Sequence, residues 1–509
     1  MIEWAYIRKV VLIFLVFLFA ILPGFSIVFA QAELWSEPVN ISNTSSSSWF
    51  PDLATDSRDN VHIIWCETTK IKEGRDKEQV FYSLWDGESW SDLNDLVPPS
   101  NDIIRNAIAM DHSDNLHMLF GGSVYDTEFT LHHQQASFDK AWSAAAWSKP
   151  HRISQGASYM GDIAVDSQGT IYVVYDDTIR YEEDTELAVA DIFFRRSVDG
   201  GKTWSAPLNL FPSRFTGSSR PQIKVDNSGA INVVWDEGWD RLTGKGDPAH
   251  GVYTFSLNEG QTWSPVISVD YPEATVAQLT VGADDHGGVM LVWRATSRNE
   301  VFYQWSTDSG GSWGAPSTIS GIFARPWTNP FDMYGMDTDS AGHIHLVMVG
   351  RRIPDSNAAL GVYHLEWDGR AWSAPEKIYE GPGFPEYPKI TISQGNHLHV
   401  AWFIRESLWD DKGTGPHQVW YSSSRSAAPY QVVTPVPTAT PMTPTFTPSP
   451  IAPTATPYPS LHLEQVGLPD GLKTESDDVF RLAIALAPVA LLVLVVMAVS
   501  MGWLKKLRR

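Results

Sequence analysis

One turn-and-strand unit recurs seven times along the chain. Its clearest copy is Val225-Asp226-Asn227-Ser228-Gly229-Ala230-Ile231-Asn232-Val233-Val234-Trp235. The other copies begin at Asp56, Asp111, Asp166, Asp284, Asp339 and Ser393. The start-to-start spacings are 55, 55, 60, 58, 55 and 54 residues. A period of that length predicts a solenoid, a propeller or an array. Each copy opens on a turn, Asp-x-x-Gly or Asn, and runs into a short apolar stretch rich in Val and Ile. That pattern reads as a hairpin feeding a buried strand. No stretch in the unit carries ten residues at helical spacing, so the prediction is all-β.

A second signature follows most of these strands. It stands complete at Ser197-Val198-Asp199-Gly200-Gly201-Lys202-Thr203-Trp204 and at Ser306-Thr307-Asp308-Ser309-Gly310-Gly311-Ser312-Trp313. A near copy runs from Ser256 to Trp263 with Asn258 for the aspartate, and weaker copies end at Trp90, Trp147 and Trp372. A carboxylate or amide here bonds the backbone of a tight turn, glycine takes the positive φ, and the Trp packs between sheets. These are Asp-boxes, or BNR repeats. Through them the chain resembles the sialidase (neuraminidase) superfamily over roughly residues 35–425. The resemblance implies a β-propeller. It does not imply activity, because Asp-boxes sit away from the sialidase active site.

Strand arithmetic points the same way. Trp204-Ser205-Ala206-Pro207, Trp313-Gly314-Ala315-Pro316 and Trp372-Ser373-Ala374-Pro375 follow their boxes, and Trp35-Ser36-Glu37-Pro38 repeats the theme at the start. The last unit ends at Ser422 without such a segment. A first strand that completes the last blade closes a ring and leaves no open edge. The expectation is therefore a propeller of seven four-stranded blades, with the six blades of sialidases as the alternative. In the fourth unit the strands are expected near 222–225, 231–235, 251–256 and 266–268.

Around the propeller, at 33–426, the sequence predicts an exported, anchored chain. Residues 1–32 read as a signal peptide, with Arg8-Lys9, an apolar run and small residues at Ala30 and Ala32. Residues 427–480 form a stalk and juxtamembrane segment, whose Thr434–Ser460 portion is dense in Pro and Thr and favours polyproline II. An apolar run from Leu482 to Trp503 predicts one C-terminal transmembrane helix at 481–504. A basic tail follows at 505–509, so the positive-inside rule puts the propeller outside the cell. The formal charge of −22 argues against nucleic acid as a partner. Cys66 is the only cysteine, so no intrachain disulfide exists, and it is expected in the core.

Candidate functional residues follow from register. The loops after the second strand of each blade should line one mouth of the channel. They carry Asp176, Asp236 and Glu237 in units three and four, and Arg294, Arg351 and Arg405 in units five to seven. Carboxylates facing guanidiniums across a mouth would suit an anionic sugar, since Arg clamps a carboxylate bidentately. Trp239 and Trp409 are candidates for stacking on a sugar ring. A sialidase also needs an arginine in a Phe/Tyr-Arg-Ile-Pro motif on an early strand. The equivalent stretch here reads Ser48-Trp49-Phe50-Pro51-Asp52 and has none. Arg352-Ile353-Pro354 occurs in the wrong unit. Tyr334 or Tyr387 would be the nucleophile if there is one, and catalytic residues are not assigned. His62, His117, His345 and His399 share one repeat position and read as structural. No metal spacing or phosphate loop stands out, so no metal and no cofactor are expected. The expected partners are an extracellular glycan or protein, with the membrane reached through the C-terminal helix. The leading reading is a surface glycan or protein binder, and the alternative is an exo-sialidase or related glycoside hydrolase.

Overall fold

The computed structural model describes residues 35–435, apart from 70–76, 98–102, 124–128, 182–183, 214–215, 241–244, 271–273, 297, 326–331, 356 and 407–415. The signal peptide, most of the stalk and the apolar run at 482–503 lie outside the described residues. Among those residues no helix is long and apolar enough to cross a membrane.

Seven four-stranded antiparallel sheets follow one another along the chain, one per repeat. They settle the number of blades at seven. The fourth blade runs Ser218–Val225, Ile231–Asp240, Lys245–Ser256 and Ile267–Val269. The strands fall where the repeat predicts, except that the first begins four residues earlier, at Ser218, and the second and third run on well past the expected turn. Blade 7 contains Phe384–Ser393, His397–Arg405 and Gln418–Arg425, and its fourth strand is Val39–Asn40 from the start of the chain. Val39 pairs with Tyr421 and Asn40 with Trp420. The ring is thus closed by the N-terminal segment, as the strand arithmetic required.

The repeated aspartate explains the turn. In six blades its Oδ1 accepts hydrogen bonds from the backbone N–H groups two and four residues on. For Asp226 the donors are Ser228 and Ala230, both at 2.9 Å. For Asp339 they are Ala341 at 2.9 Å and His343 at 3.0 Å. In four of these blades the second oxygen serves the strand that follows. Asp339 Oδ2 meets His345 Nε2 at 3.1 Å, and Asp166 Oδ2 accepts from the Tyr172 hydroxyl at 2.8 Å. The repeat histidines are therefore struts, fully buried between turn and sheet. Cys66 is buried as expected, and burial raises its thiol pKa.

The Asp-box tryptophans hold one blade to the next. Trp263 packs edge-on against Phe194 of the preceding blade, with centroids 4.9 Å apart, and Trp313 does the same to Tyr253 at 5.1 Å. Trp204 meets His133, Trp372 meets Tyr303, and Trp90 meets Tyr421 across the closure. Trp35 fills this role for blade 7, where it packs on His364 of blade 6 at 5.2 Å. Edge-to-face aromatic pairs of this kind are worth about 0.5–1.5 kcal/mol beyond area burial. The closing segment therefore supplies both a strand and a seam residue.

Candidate functional site

The first strand of each blade lines the central channel, and its two ends define two mouths. In five blades this strand bulges at its start, around Trp49–Asp52, Ile103–Arg105, Ser219–Gln222, Ala277–Thr280 and Glu386–Lys389. Four of these bulges place one residue at positive φ: Phe50, Arg220, Gln278 and Tyr387. A bulge bends the strand and re-aims a side chain. Here it gathers polar groups from several blades at one mouth.

Those groups form a continuous belt. Arg220 Nε donates to Asp236 Oδ2 at 2.6 Å, and Asp236 also accepts from the backbone of Gln278 and Leu279 on blade 5. The Gln278 amide reaches Asp332 Oδ2 at 2.9 Å. Asp332 pairs with Arg325 at 3.0 Å and accepts from the Tyr387 backbone at 3.0 Å. Glu386 then meets Arg325 at 3.5 Å and Arg405 at 3.1 Å. The Arg405 guanidinium lies 5.5 Å over Trp49, and that of Arg105 lies 3.2 Å over Phe50. All of these charged side chains are buried.

Burial shifts the site's titrations. It lowers the Arg294 pKa to about 10, with Tyr334 and Asp332 pulling upward and Arg325 and Arg220 pulling down. It raises the Glu386 carboxyl against the opposing charges of Arg325 and Arg405. It also raises the Tyr334 hydroxyl, helped by Asp332. Deeper in the channel, burial lifts Asp52 to about 6 against the Lys389 charge. A cavity of about 410 Å³ occupies this part of the channel, lined by Asp52, Asp162, Lys224, Asp337 and Lys389 among others.

The residues singled out by register divide into two groups. Asp236, Arg294 and Arg405 come to the belt and its surroundings. Asp176 instead accepts hydrogen bonds from Ser158, Tyr159 and Met160 of its own blade. Glu237 braces blade 4 by accepting from the Ser218 hydroxyl at 2.6 Å and Trp235 Nε1 at 3.1 Å. Glu67 makes the same two contacts, with Ser48 and Trp65, in blade 1. Arg351 donates to the Asp355 carbonyl at 2.5 Å.

Asp176, Asp236, Glu237 and Arg294 are strand residues, not loop residues, because the hairpins keep pairing beyond them, and Arg405 is the last residue of its strand. Acids and arginines also alternate around the belt instead of occupying opposite arcs. The side chain of Trp239, and Trp409 altogether, lie outside the described residues. Arg352 bonds the Pro375 carbonyl beside an exposed Ile353, away from the belt. Register reasoning missed Arg105, Arg220, Arg325, Asp332 and Glu386. The X-Pro pairs Phe50-Pro51, Arg220-Pro221 and Tyr387-Pro388 would have flagged three of the bulges.

The sequence from 133 to 400, more than half of the chain, matches the BNR repeat-like domain family. The chain belongs to the BNR repeat-like domain family. This accords with the sialidase resemblance of its Asp-boxes. The BNR repeat-like chain is 29% identical to a sialidase of Bacteroides fragilis (strain YCH46) over 23% of its own length. It spans about a quarter of that relative, 27%. Among solved structures, NanB sialidase of Streptococcus pneumoniae is 14% identical, covering 77% of this chain and 71% of NanB, with a TM-score of 0.42. A family PL25 ulvan lyase bound to -[GlcA(1-4)Rha3S]- is 11% identical, covering 75% and 98%, with a TM-score of 0.49.

Proposed function

We propose that this chain is a sialidase-like propeller displayed at a cell surface on a C-terminal membrane anchor, and that it binds an acidic glycan at the belted mouth. One observation carries the reading. Five buried guanidiniums, those of Arg105, Arg220, Arg294, Arg325 and Arg405, gather at this mouth with Asp236, Asp332 and Glu386 among them. In a chain of net charge −22 this is a local concentration of cationic groups. Such a mouth favours an anion, and a planar carboxylate is what guanidiniums grip best. The likeness to a protein named sialidase makes a sialic acid the first sugar to try. The opposite mouth supports the display geometry. It is lined by the repeat turns together with Gln431 and Val433, and Gln431 donates to the Gln394 carbonyl there at 2.8 Å. The polypeptide thus leaves the propeller on the side away from the arginines.

The alternative is an exo-sialidase or related hydrolase. Tyr334 favours it, because it lies among Asp332, Arg294 and Arg325. The stretch Ser48–Asp52 lacks the arginine that the sialidase motif would place there, so binding without turnover is the leading reading. A glycan array and a fluorogenic sialoside, each run with wild type, Arg294→Ala and Arg405→Ala, test both. Selective binding of sialylated or uronate glycans is expected without turnover. Each substitution should weaken it by on the order of 2 kcal/mol, about 30-fold. Sialoside turnover would favour the hydrolase, and glycan binding indifferent to both substitutions would refute the assigned mouth.

A further inference from the structure

We infer that the seam where blade 1 closes on blade 7 binds a divalent transition-metal ion of the zinc class, with Asp59, His397 and His399 as ligands. The inference starts from a break in the repeat. In blades 1, 2 and 6 the turn aspartate meets the repeat histidine of its own blade: Asp56 with His62 at 3.4 Å, Asp111 with His117 at 3.3 Å and Asp339 with His345 at 3.1 Å. Blade 7 has Ser393 in place of that aspartate. His399 Nε2 therefore has no carboxylate from its own turn. It contacts the Ser393 hydroxyl at 2.9 Å and faces Asp59 Oδ1 across the seam at 3.7 Å.

Asp59 belongs to the blade 1 turn and reaches blade 7 from a backbone at φ 70°. Its other oxygen lies 2.9 Å from His397 Nδ1. His397 and His399 stand two apart on one strand, so their rings share a face, with centroids 4.0 Å apart. The three donor atoms all lie within 4.8 Å of one another, an arrangement found once among the described residues. At the register of His397, blade 6 has His343, which turns to Glu366 of its own sheet.

The donor set and its geometry fit zinc. Two imidazoles and one carboxylate suit Zn²⁺ better than calcium or magnesium, which take oxygen ligands. Tetrahedral bonds of about 2.1 Å put neighbouring donor atoms about 3.4 Å apart. Asp59 Oδ2 lies 2.9 Å from His397 Nδ1 and Asp59 Oδ1 lies 3.7 Å from His399 Nε2, so each imidazole already stands near that spacing from one oxygen of the carboxylate. Ser393 Oγ or a water completes the fourth position. The Tyr421 hydroxyl holds His399 Nδ1 at 2.7 Å, which turns Nε2 toward the site, as an outer-shell partner does for a metal ligand. Asp59 and His397 are partly exposed, so an ion can enter from solvent. The Arg425 guanidinium, 3.6 Å from Asp59, is half exposed and can turn outward as the cation arrives. The ion would staple the two ends of the ring, next to the closing strand.

Metal-free full-length protein titrated with Co²⁺ tests this directly. The expected result is one Co²⁺ per chain with the visible bands of a tetrahedral site, displaced by Zn²⁺, and a rise in Tm when Zn²⁺ is added. Asp59→Asn and His397→Ala, both at partly exposed positions, should each weaken Co²⁺ binding by at least about 100-fold, since losing an outer-shell partner alone costs up to that much. His343→Ala should leave it unchanged. Absence of cobalt bands and of a zinc-dependent Tm shift in the wild-type protein would overturn the inference. So would bands that survive both ligand substitutions. The wild-type titration does not depend on any variant folding.

Discussion

Replacing Gly260 with alanine tests why the Asp-box keeps its glycine. Gly260 sits at φ 75°, and a Cβ there would lie 2.4 Å from Cε1 and Cζ of Phe194 on the preceding blade. Two costs add. Holding alanine at positive φ costs about 1 kcal/mol. Forcing Phe194 to retreat is overpacking, at about 1–3 kcal/mol. The ring has little freedom, since it is buried and pinned edge-on by Trp263. The total is about 3 kcal/mol. Gly229 is the matched control: its φ is 86°, yet no atom lies within 4 Å of the corresponding Cβ. Gly229→Ala should therefore carry only the backbone cost, about 1 kcal/mol. Urea unfolding followed by tryptophan fluorescence would read both. A Phe194→Leu background removes the ring atoms in question, and there Gly260→Ala should fall back to about 1 kcal/mol. Equal losses for Gly260→Ala and Gly229→Ala, or an undiminished loss in the Phe194→Leu background, would refute the steric argument.

Asp191 supplies a pH test. Burial, with the Glu237 charge adding to it, raises its carboxyl to about 7 against hydrogen bonds from Asn209 and Ser213. The folded state then binds a proton more tightly than the unfolded state. The stability contributed is complete below about pH 3.8 and is lost as pH rises through 7, on the order of 4 kcal/mol in all. Asp191→Asn should flatten the stability-versus-pH curve between those limits, and identical slopes in variant and wild type would contradict the assignment. Topology is tested on intact cells. Added protease should release the propeller by cutting near 434–460, whereas cutting only after lysis would reverse the orientation.

The candidate site was only partly legible in the sequence. Register brought out Asp236, Arg294 and Arg405, because each follows a repeat strand whose position the period fixes. It could not bring out Arg220, Arg325, Asp332 or Glu386. These lie at bulges and crossings where the chain leaves the repeat pattern, and several of their contacts reach other blades, as Arg325 does to Glu386 and Asp332 to Gln278. Nor could it separate Glu237 from its neighbour Asp236. Adjacent strand residues point to opposite faces, so one braces its own blade while the other joins the belt.

The periodic part of the chain was determined by sequence alone. Seven turn aspartates or their substitute, the Asp-boxes and the spare Trp35 segment specify hairpins, seams and a closed ring through short-range chemistry repeated at fixed spacing. What depended on closure was not. Asp59 and His397 are 338 positions apart and meet only because the first blade returns to the last. The arginine belt likewise exists only once the seams between blades have set its members side by side. Local hydrogen bonds and apolar periodicity are written in consecutive residues. Contacts across a ring depend on its curvature, which only the packed blades define.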